Sequence, residues 1–279
     1  MNNLFRELAP VSAPAWQEIE NEARRTLKTM LAARRIVDLI GPQGRVTAAV
    51  GTGRTVPISA PTSGAVEARL RQVQPLVEMR APFELARSEL EAIERGARDA
   101  NLDPVVAAAR KIAIAEDAAI FHGYPAANIR GICEARAGAV LSLGDDFATY
   151  PGVVTSAVNR LRDAGVEGPY AVALSERCYT GLTETTKEGY PVLEHVRRVV
   201  EGPIVWAPGL VGAVVVSLRG GDFELSVGQD FSIGYFDHDD KSVRLYIEEC
   251  FTFRLLSPQA AVPLTDERKP RRPSKAVRQ

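Results

Sequence analysis

The longest strand pattern in the chain lies near its C-terminal end and constrains the fold more than any other feature. The apolar residues that share one face of this predicted strand are Val243, Leu245, Ile247, Phe251, Phe253 and Leu255. Glu249 is the one polar residue on that face. A second alternation, from Val77 to Leu85, lies in the first third of the chain. We therefore predict two lobes that share one sheet, with the early and late strands paired across a long insertion.

The composition is that of an ordinary globular chain with enough apolar residues for a large core. Its 279 residues are 46% hydrophobic and 25% charged, which suits one large domain or two smaller ones. No apolar run approaches the roughly 18 residues of a membrane span, and the N-terminus lacks the features of a signal peptide. We expect a cytoplasmic protein.

The cysteine content argues against a disulfide-rich or zinc-binding protein, and the charge is distributed unevenly along the chain. Cys133, Cys178 and Cys250 are an odd number without a C-x-x-C motif, so we expect reduced, mostly buried thiols rather than disulfides or a zinc site. The tail from Arg268 to Gln279 holds six basic residues and no acidic one, which leaves 28 basic against 35 acidic residues in the rest. We predict a disordered, solvated tail and no specific nucleic-acid or membrane partner, and the alternative is that this basic run attracts nucleic acid or a membrane surface.

The first helix pattern runs from about Ser12 to Arg35, with Pro14 in its first turn. The residues at helical spacing on its apolar side are Trp16, Ile19, Ala23, Leu27 and Met30. A turn at 41–44 then precedes a predicted strand over 45–50.

Residues 51–75 are rich in glycine and proline and have no long periodic stretch. We expect an extended arm or hairpin that either contacts another subunit or is a mobile loop. Beyond it, Ser88 and Glu91 predict a capping box for a short helix, and Asp103 and Pro104 begin a long helix that ends near residue 122.

The segment from about residue 128 to 228 alternates between helix and strand patterns, as expected of an inserted α+β subdomain. Helices are predicted over 150–164, 176–184 and 191–200, and strands over 170–174 and 211–218.

A search for catalytic motifs finds none. His122, His195 and His238 are far apart, and the chain lacks a phosphate-binding loop, a dinucleotide fingerprint and a G-x-S-x-G nucleophile motif. Residues 237–240 (DHDD) fit a polar turn better than a cation site. We expect no enzyme activity, no metal and no cofactor.

Motifs near both ends of the chain resemble one known family. The segments RGGDFEL (219–225), GQDFSIGY (228–235) and VRLYIEECFTFR (243–254) are similar to the closing strands of encapsulin shell proteins, the linocin-type bacteriocin family. The segment MNNLFRELAP (1–10), with WQEI (16–19) and Gly41-Pro42, is similar to encapsulin N-termini. The resemblance covers residues 1 to about 264.

This resemblance implies an α+β chain with the tailed-phage major capsid fold (Hong Kong 97 type), which has a peripheral domain, an axial domain and an extended loop. On this chain the implied parts are the N-terminal helix and start of the peripheral domain (1–50), the extended loop (51–75), the rest of the peripheral domain with its spine helix (76–127), the axial domain (128–228), the return strands (229–264) and a disordered basic tail (265–279).

The resemblance also implies a function. Encapsulins assemble into closed icosahedral compartments, for which about 60 copies are favoured here. They hold a cargo enzyme, a dye-decolorising peroxidase or a ferritin-like iron protein, for oxidative stress or iron storage. The Mycobacterium-type segment IVWAP (204–208) favours the peroxidase.

Two sets of site residues follow from the family's pattern. The cargo's C-terminal peptide would dock against Leu27, Met30, Arg34, Asp38, Asp230, Phe231 and Ile233. The fivefold pore would be lined by Thr185, Thr186, Lys187, Glu188, Gly189 and Tyr190. Alternatively, Leu27 and Phe231 are simply core residues, and the pore loop is an ordinary solvated loop whose mixed charge gives no ion preference.

Two other readings of the chain remain at this point. A prophage major capsid protein shares the fold but needs scaffold, protease and portal partners. A stand-alone peptidase or hydrolase would need a nucleophile motif that the sequence lacks.

Overall fold

A computed structural model describes residues 3–62, 64–134 and 141–266 of the chain. Its α-helices are α1 (Ala13–Met30), α2 (Arg87–Glu94), α3 (Asp103–His122), α4 (Tyr150–Asp163), α5 (Glu176–Glu184) and α6 (Val192–Val200). Its strands are β1 (Asp38–Ile40), β2 (Ala49–Ile58), β3 (Ala68–Pro75), β4 (Val77–Ala86), β5 (Leu141–Leu143), β6 (Tyr170–Leu174), β7 (Thr186–Lys187), β8 (Tyr190–Pro191), β9 (Glu201–Trp206), β10 (Ala213–Ser217), β11 (Phe223–His238), β12 (Ser242–Leu255) and β13 (Ala261–Asp266).

The first of two units comprises residues 1–134, 207–209 and 220–257, and it is built around a four-stranded sheet with the order β1-β11-β12-β4. β12 pairs antiparallel with β4 from Phe251 opposite Val77 to Ser242 opposite Ala86. The early and late strand patterns are therefore neighbours in one sheet, as their alternation predicts.

Helix α1 ends earlier than the periodicity predicts, and of its predicted apolar side Ile19, Ala23, Leu27 and Met30 are buried while Trp16 is only partly buried. The Ser12 side chain accepts a hydrogen bond from the Ala15 amide at the start of the helix. The helix stops at Met30 because the amides of Ala32 and Ala33 donate to the carboxylate of Asp117, at 3.0 and 2.9 Å, instead of continuing the helical ladder. The predicted end at Arg35 is wrong, since residues 33–35 form a separate 3₁₀ turn.

Helix α3 spans the range that the sequence predicts, whereas the predicted capping box of α2 is absent. The N-cap of α2 is Ala86, which offers no side-chain acceptor, and Ser88 lies inside the helix. The amide of Arg87 instead donates to the backbone oxygen of Lys241 at 2.8 Å. A tertiary contact therefore replaces the local cap.

Strands β2 and β3 form a two-stranded hairpin that we call the arm. The predicted strand at 45–50 begins only at Ala49, because it is the start of this hairpin. Val56 lies opposite Leu70, and Ile58 lies opposite Ala68, so these side chains share one face. The arm thus exposes an apolar face, on which Leu70 is 57% accessible.

The second unit comprises residues 135–206, 210–219 and 258–279. Its five-stranded sheet has the order β5-β13-β10-β6-β9, with helices α4, α5 and α6 in the same unit. The wholly buried side chains of its core include Tyr150, Leu161, Leu174 and Leu182.

This arrangement corrects the predicted lobes and domain bounds. The two units do not share a sheet, because the insertion supplies enough strands for a sheet of its own. Residues 128–134 and 220–228, assigned by sequence to the axial domain (128–228), lie in the first unit. The predicted return strands (229–264) end at residue 257, since β13 pairs with β10 and β5 of the second unit. The last two residues of β13, 265 and 266, fall within the predicted tail (265–279). The rest of that tail (267–279) lies outside the described residues.

Within the described ranges, every helix is too short or too polar to cross a membrane.

Candidate functional site

A cavity of about 550 Å³ lies in the first unit, between α1 and the strands β11 and β12. We call it the groove. Of the seven residues that the sequence assigns to peptide binding, five line the groove: Leu27, Arg34, Asp230, Phe231 and Ile233. Residues that lie far apart in sequence therefore meet in one cavity.

The other two predicted residues, Met30 and Asp38, are not among the residues that line the groove. Met30 is on the buried stripe of α1. Asp38 lies on the edge strand β1, where its carboxylate accepts a hydrogen bond from the Gly221 amide at 2.7 Å. In this structure both residues support the fold around the groove rather than its surface.

The floor of the groove is apolar. Leu27 and Ile233 are almost completely buried, and Ile247 is fully buried. Such a surface suits aliphatic side chains, because their transfer from water is favourable by about 25 cal/mol per Å² buried. The groove is therefore suited to hold an apolar segment.

One end of the groove is bordered by the N-terminal segment. Leu4 lines the cavity, and its backbone oxygen accepts a hydrogen bond from the Tyr235 amide at 2.8 Å. The Arg6 guanidinium lies 2.6 Å from the Glu20 carboxylate and 4.1 Å from the centre of the Trp16 ring. These contacts hold the segment against α1 and β11.

Arg34 is the central polar residue of the groove, and its side chain is only 12% exposed. Its Nε and Nη2 atoms donate to the Glu116 carboxylate at 2.5 to 3.0 Å, and Nη1 donates to Asp230 at 2.8 Å. Nη2 also lies 3.3 Å from Glu249 Oε2, and the guanidinium stacks on the Phe231 ring. One cation thus contacts three carboxylates.

Two of those carboxylates, Glu116 and Glu249, are fully buried. Burial, together with the charge of Glu116 and a hydrogen bond to it, raises the pKa of Glu249 well above its usual range. Burial alone would lower the pKa of Arg34, but the hydrogen bond and charge of Glu116 outweigh it, so the guanidinium stays protonated.

Asp117 follows Glu116 on α3 and holds the turn that carries Arg34. Its two oxygens accept from the Ala32 and Ala33 amides. Burial raises the pKa of Asp117 to about 7, despite these two donors. Asp117 therefore positions Arg34 through the backbone.

Sequence reasoning missed Glu116 and Asp117, although a signal was present. Both are acidic residues in the alanine-rich helix α3, for which the apolar periodicity predicts a buried side of Val105, Ala108, Ile112, Ala115 and Ala119. Ala115 is in fact only partly buried, and the two acidic residues are buried instead. Glu249 did stand out, as the polar residue on an apolar strand face.

The predicted pore residues lie in the second unit, on the small hairpin of β7 and β8. Glu188 and Gly189 form its turn with φ of 54° and 81°, which suits a two-residue hairpin loop. The backbone oxygen of Thr185 accepts a hydrogen bond from the Val192 amide at 2.9 Å, and residues 186–190 are exposed. The loop is thus a defined, solvent-facing turn.

The described ranges contain no group of three His, Cys, Asp or Glu residues that could hold a metal ion. In the DHDD segment, Asp237 and His238 end β11, and Asp237 pairs with Arg244. Asp239 begins the turn that follows, where it accepts from the amides of Lys241 and Ser242. The three cysteines are free, and two of them are buried.

Comparison with solved structures first defines the class of fold. The virus-like particle from Pyrococcus furiosus matches with a TM-score of 0.61 and 13% identity, over 89% of this chain and 98% of that chain. A Gordonia phage Cozz structure matches with a TM-score of 0.54 and 12% identity, over 86% and 87%. The chain has the α+β fold of tailed-phage capsid proteins, of the Hong Kong 97 type.

Comparison of sequences then defines the family. A family model described as "Encapsulating protein for peroxidase" matches residues 1–252. The type 1 encapsulin shell protein of Rhodospirillum rubrum is 57% identical over 270 residues, which cover 95% of this chain and 96% of the relative. That of Mycobacterium tuberculosis is 49% identical over 265 residues, covering 95% and 100%. The chain belongs to the encapsulin family.

Family membership decides between the readings left open by the sequence. The chain is a structural shell protein that forms a capsid-like compartment, and it is not an enzyme. The resemblance to encapsulins is confirmed, whereas the prophage capsid and hydrolase readings are not supported by these relatives.

Proposed function

We propose that this chain assembles, in the bacterial cytoplasm, into a closed shell of about 60 copies that encloses a cargo enzyme. The cargo is retained because a peptide at its C-terminus docks in the groove. The observation that carries this proposal is the groove itself, where Leu27, Phe231 and Ile233 meet the charged pair of Arg34 and Asp230.

The shape and chemistry of the groove favour an extended peptide. An apolar floor with a few polar groups is the usual design of a site that takes aliphatic anchors and orients a backbone. Leu27 supplies part of the floor, while Asp230 is 46% exposed and can accept a hydrogen bond from a peptide amide. These features support docking rather than a purely structural role.

The proposed cargo is a dye-decolorising peroxidase, with a ferritin-like iron protein as the alternative. The description of the matching family model refers to peroxidase, which favours the first.

The arm is the proposed contact between neighbouring copies, because none of the elements that the structure describes covers its exposed apolar face. We also propose that residues 185–190 line an opening through which small molecules pass. Lys187 and Glu188 at its tip balance in charge, so we expect little ion preference.

The test is co-expression of the shell protein with a green fluorescent protein that carries the C-terminal residues of the candidate peroxidase. Leu27→Glu should give complete shells without fluorescence, because a charge in the apolar floor opposes docking. Thr29→Glu is the matched control, since Thr29 is exposed on the same helix and does not line the groove. It should load normally.

If Leu27→Glu prevents assembly, the milder Phe231→Ala replaces it in the same experiment. Complete shells of either variant with wild-type fluorescence would overturn the proposal.

A further inference from the structure

Beneath the groove, the described residues place more buried negative charge around Arg34 than this one cation can balance. Arg34 faces Glu116, Glu249 and Asp230. Asp230 is half exposed and can be solvated, but the other two side chains are fully buried. Two adjacent carboxylates in such a place do not both ionise near neutral pH.

The contacts of Glu249 show where the missing proton resides. Arg34 Nη2 contacts Glu249 Oε2 at 3.3 Å and Glu116 Oε2 at 2.5 Å, so the two buried carboxyl groups are neighbours that compete for one cation. Glu249 Oε1 has no N–H or O–H donor among the described residues, and Oε2 receives only the 3.3 Å contact from Arg34. A shared proton therefore satisfies the pair.

Among the residues that the structure describes, Arg34 is the one cation that acts on Glu249. Arg34 comes from the turn after α1, Glu116 from α3 and Asp230 from β11. Its register partner on β4 is Met79. Asp117 is the other ionisable group on α3 beside the pair, and its oxygens are held by backbone amides.

We propose that the groove is proton-linked: Glu116 and Glu249 share one proton beneath Arg34, and the groove binds its peptide only while that proton is present. This inference rests on the proposed docking of a cargo peptide. Loss of the proton leaves two buried negative charges side by side, which repel each other and draw in water. Arg34 and the Phe231 ring that it stacks on are then displaced, and both line the groove.

The experiment measures peptide affinity of the purified full-length protein by fluorescence anisotropy from about pH 6 to about pH 10. The probe is a short fluorescent peptide of leucine, isoleucine, glycine and serine with blocked ends, so that every titrating group belongs to the protein. The wild-type affinity should fall about tenfold for each pH unit above the pKa of the pair. Light scattering at each pH records whether the particles stay intact.

Glu249→Gln is the decisive variant, because its amide replaces the protonated carboxyl group permanently. It should bind the probe with an affinity that no longer falls with rising pH. Glu248→Gln is the matched control, since Glu248 is the adjacent buried glutamate but contacts Arg45 and Arg80 instead. It should keep the wild-type profile. The infrared difference spectrum between wild type and Glu249→Gln at neutral pH should also show the band of one protonated carboxyl group, since the contribution of Asp117 is common to both proteins and cancels.

The possible failures are distinguishable. No binding at any pH would overturn peptide docking itself. Binding with a flat wild-type profile would overturn the proton linkage alone. A fall in affinity that persists in Glu249→Gln but disappears in Asp117→Asn would also overturn it, because Asp117 would then be the titrating group.

Discussion

Glu248 and Glu249 are consecutive residues of β12 that are both almost completely buried, yet their side chains belong to two separate charge networks on opposite faces of the sheet. Glu249 contacts Arg34 in the groove at 3.3 Å. Glu248 contacts Arg45, which precedes the arm, at 2.6 Å and Arg80, which follows the arm on β4, at 2.9 Å. The groove and the base of the arm thus depend on neighbouring residues of one strand.

Removal of the Glu248 carboxylate should destabilise the first unit. Glu248→Ala leaves the guanidinium groups of Arg45 and Arg80 without their shared buried partner. Since both arginines are partly exposed and can be solvated, we expect a loss of about 1 to 3 kcal/mol in the free energy of unfolding. Urea unfolding of the full-length protein measures it.

The control for this prediction is Glu194→Ala, which removes an exposed ion pair with Arg197. Such pairs contribute at most about 1 kcal/mol. Equal effects of the two substitutions would contradict the importance of the buried network.

Asp117 should make stability depend on pH. Its pKa of about 7 in the folded protein lies above its ordinary value of 3.8, so the folded state binds a proton more tightly than the unfolded chain. The resulting stabilisation is complete below about pH 4 and is lost as the pH rises to 7, by about 4 kcal/mol in total. Glu249 contributes in the same direction.

The measurement is the free energy of unfolding of wild type and Asp117→Asn at a series of pH values. Asparagine should reduce the slope of the free energy of unfolding against pH between about pH 4 and pH 7. It should also destabilise the protein by about 1 to 3 kcal/mol, because it cannot accept from both amides of Ala32 and Ala33. Identical slopes would contradict the assignment.

Two helical glycines should respond to alanine with opposite signs. In α5, a Cβ atom at Gly181 would overlap the Phe147 ring, which already packs against Tyr150. In α4, a Cβ atom at Gly152 meets nothing within 4 Å. Gly181→Ala should therefore lower the melting temperature. Gly152→Ala should raise it, because alanine favours the helix over glycine by up to about 1 kcal/mol.

Differential scanning calorimetry of the two variants tests this pair. A stabilised Gly181→Ala would show that the Phe147 ring can move aside without cost.

A charge on the apolar face of the arm should block shell assembly. Leu70→Glu places a carboxylate beside Val56 and Ile58, on the face proposed to contact a neighbouring copy. Thr55→Glu adds the same charge to the opposite face of the hairpin. By size-exclusion chromatography, Leu70→Glu should elute as folded small species, and Thr55→Glu as particles. Normal particles of Leu70→Glu would contradict the proposed role of this face.

Local sequence signals were sufficient for several elements. The bounds of α3, α5 and β6 agree with the sequence, because proline or serine at the start and periodicity along the segment are short-range features. The groove residues Leu27 and Phe231 came from the family resemblance rather than from periodicity, which indicates only that Leu27 is on an apolar side.

Features that depend on distant partners could not be predicted in this way. The end of α1 is set by Asp117, which is 84 and 85 residues away along the chain from the amides that it binds. Likewise, β13 belongs to the second unit because it pairs with β10, and no local pattern records that pairing. The buried position of Glu116 follows only from the presence of Arg34.

The most direct test of the proposed shell is its mass, measured by light scattering on the purified full-length protein with negative-stain electron microscopy of the same sample. About 60 copies of a 30.2 kDa chain give about 1.8 MDa, and we expect uniform hollow spheres of that mass. A monodisperse small oligomer without spheres would contradict the closed shell.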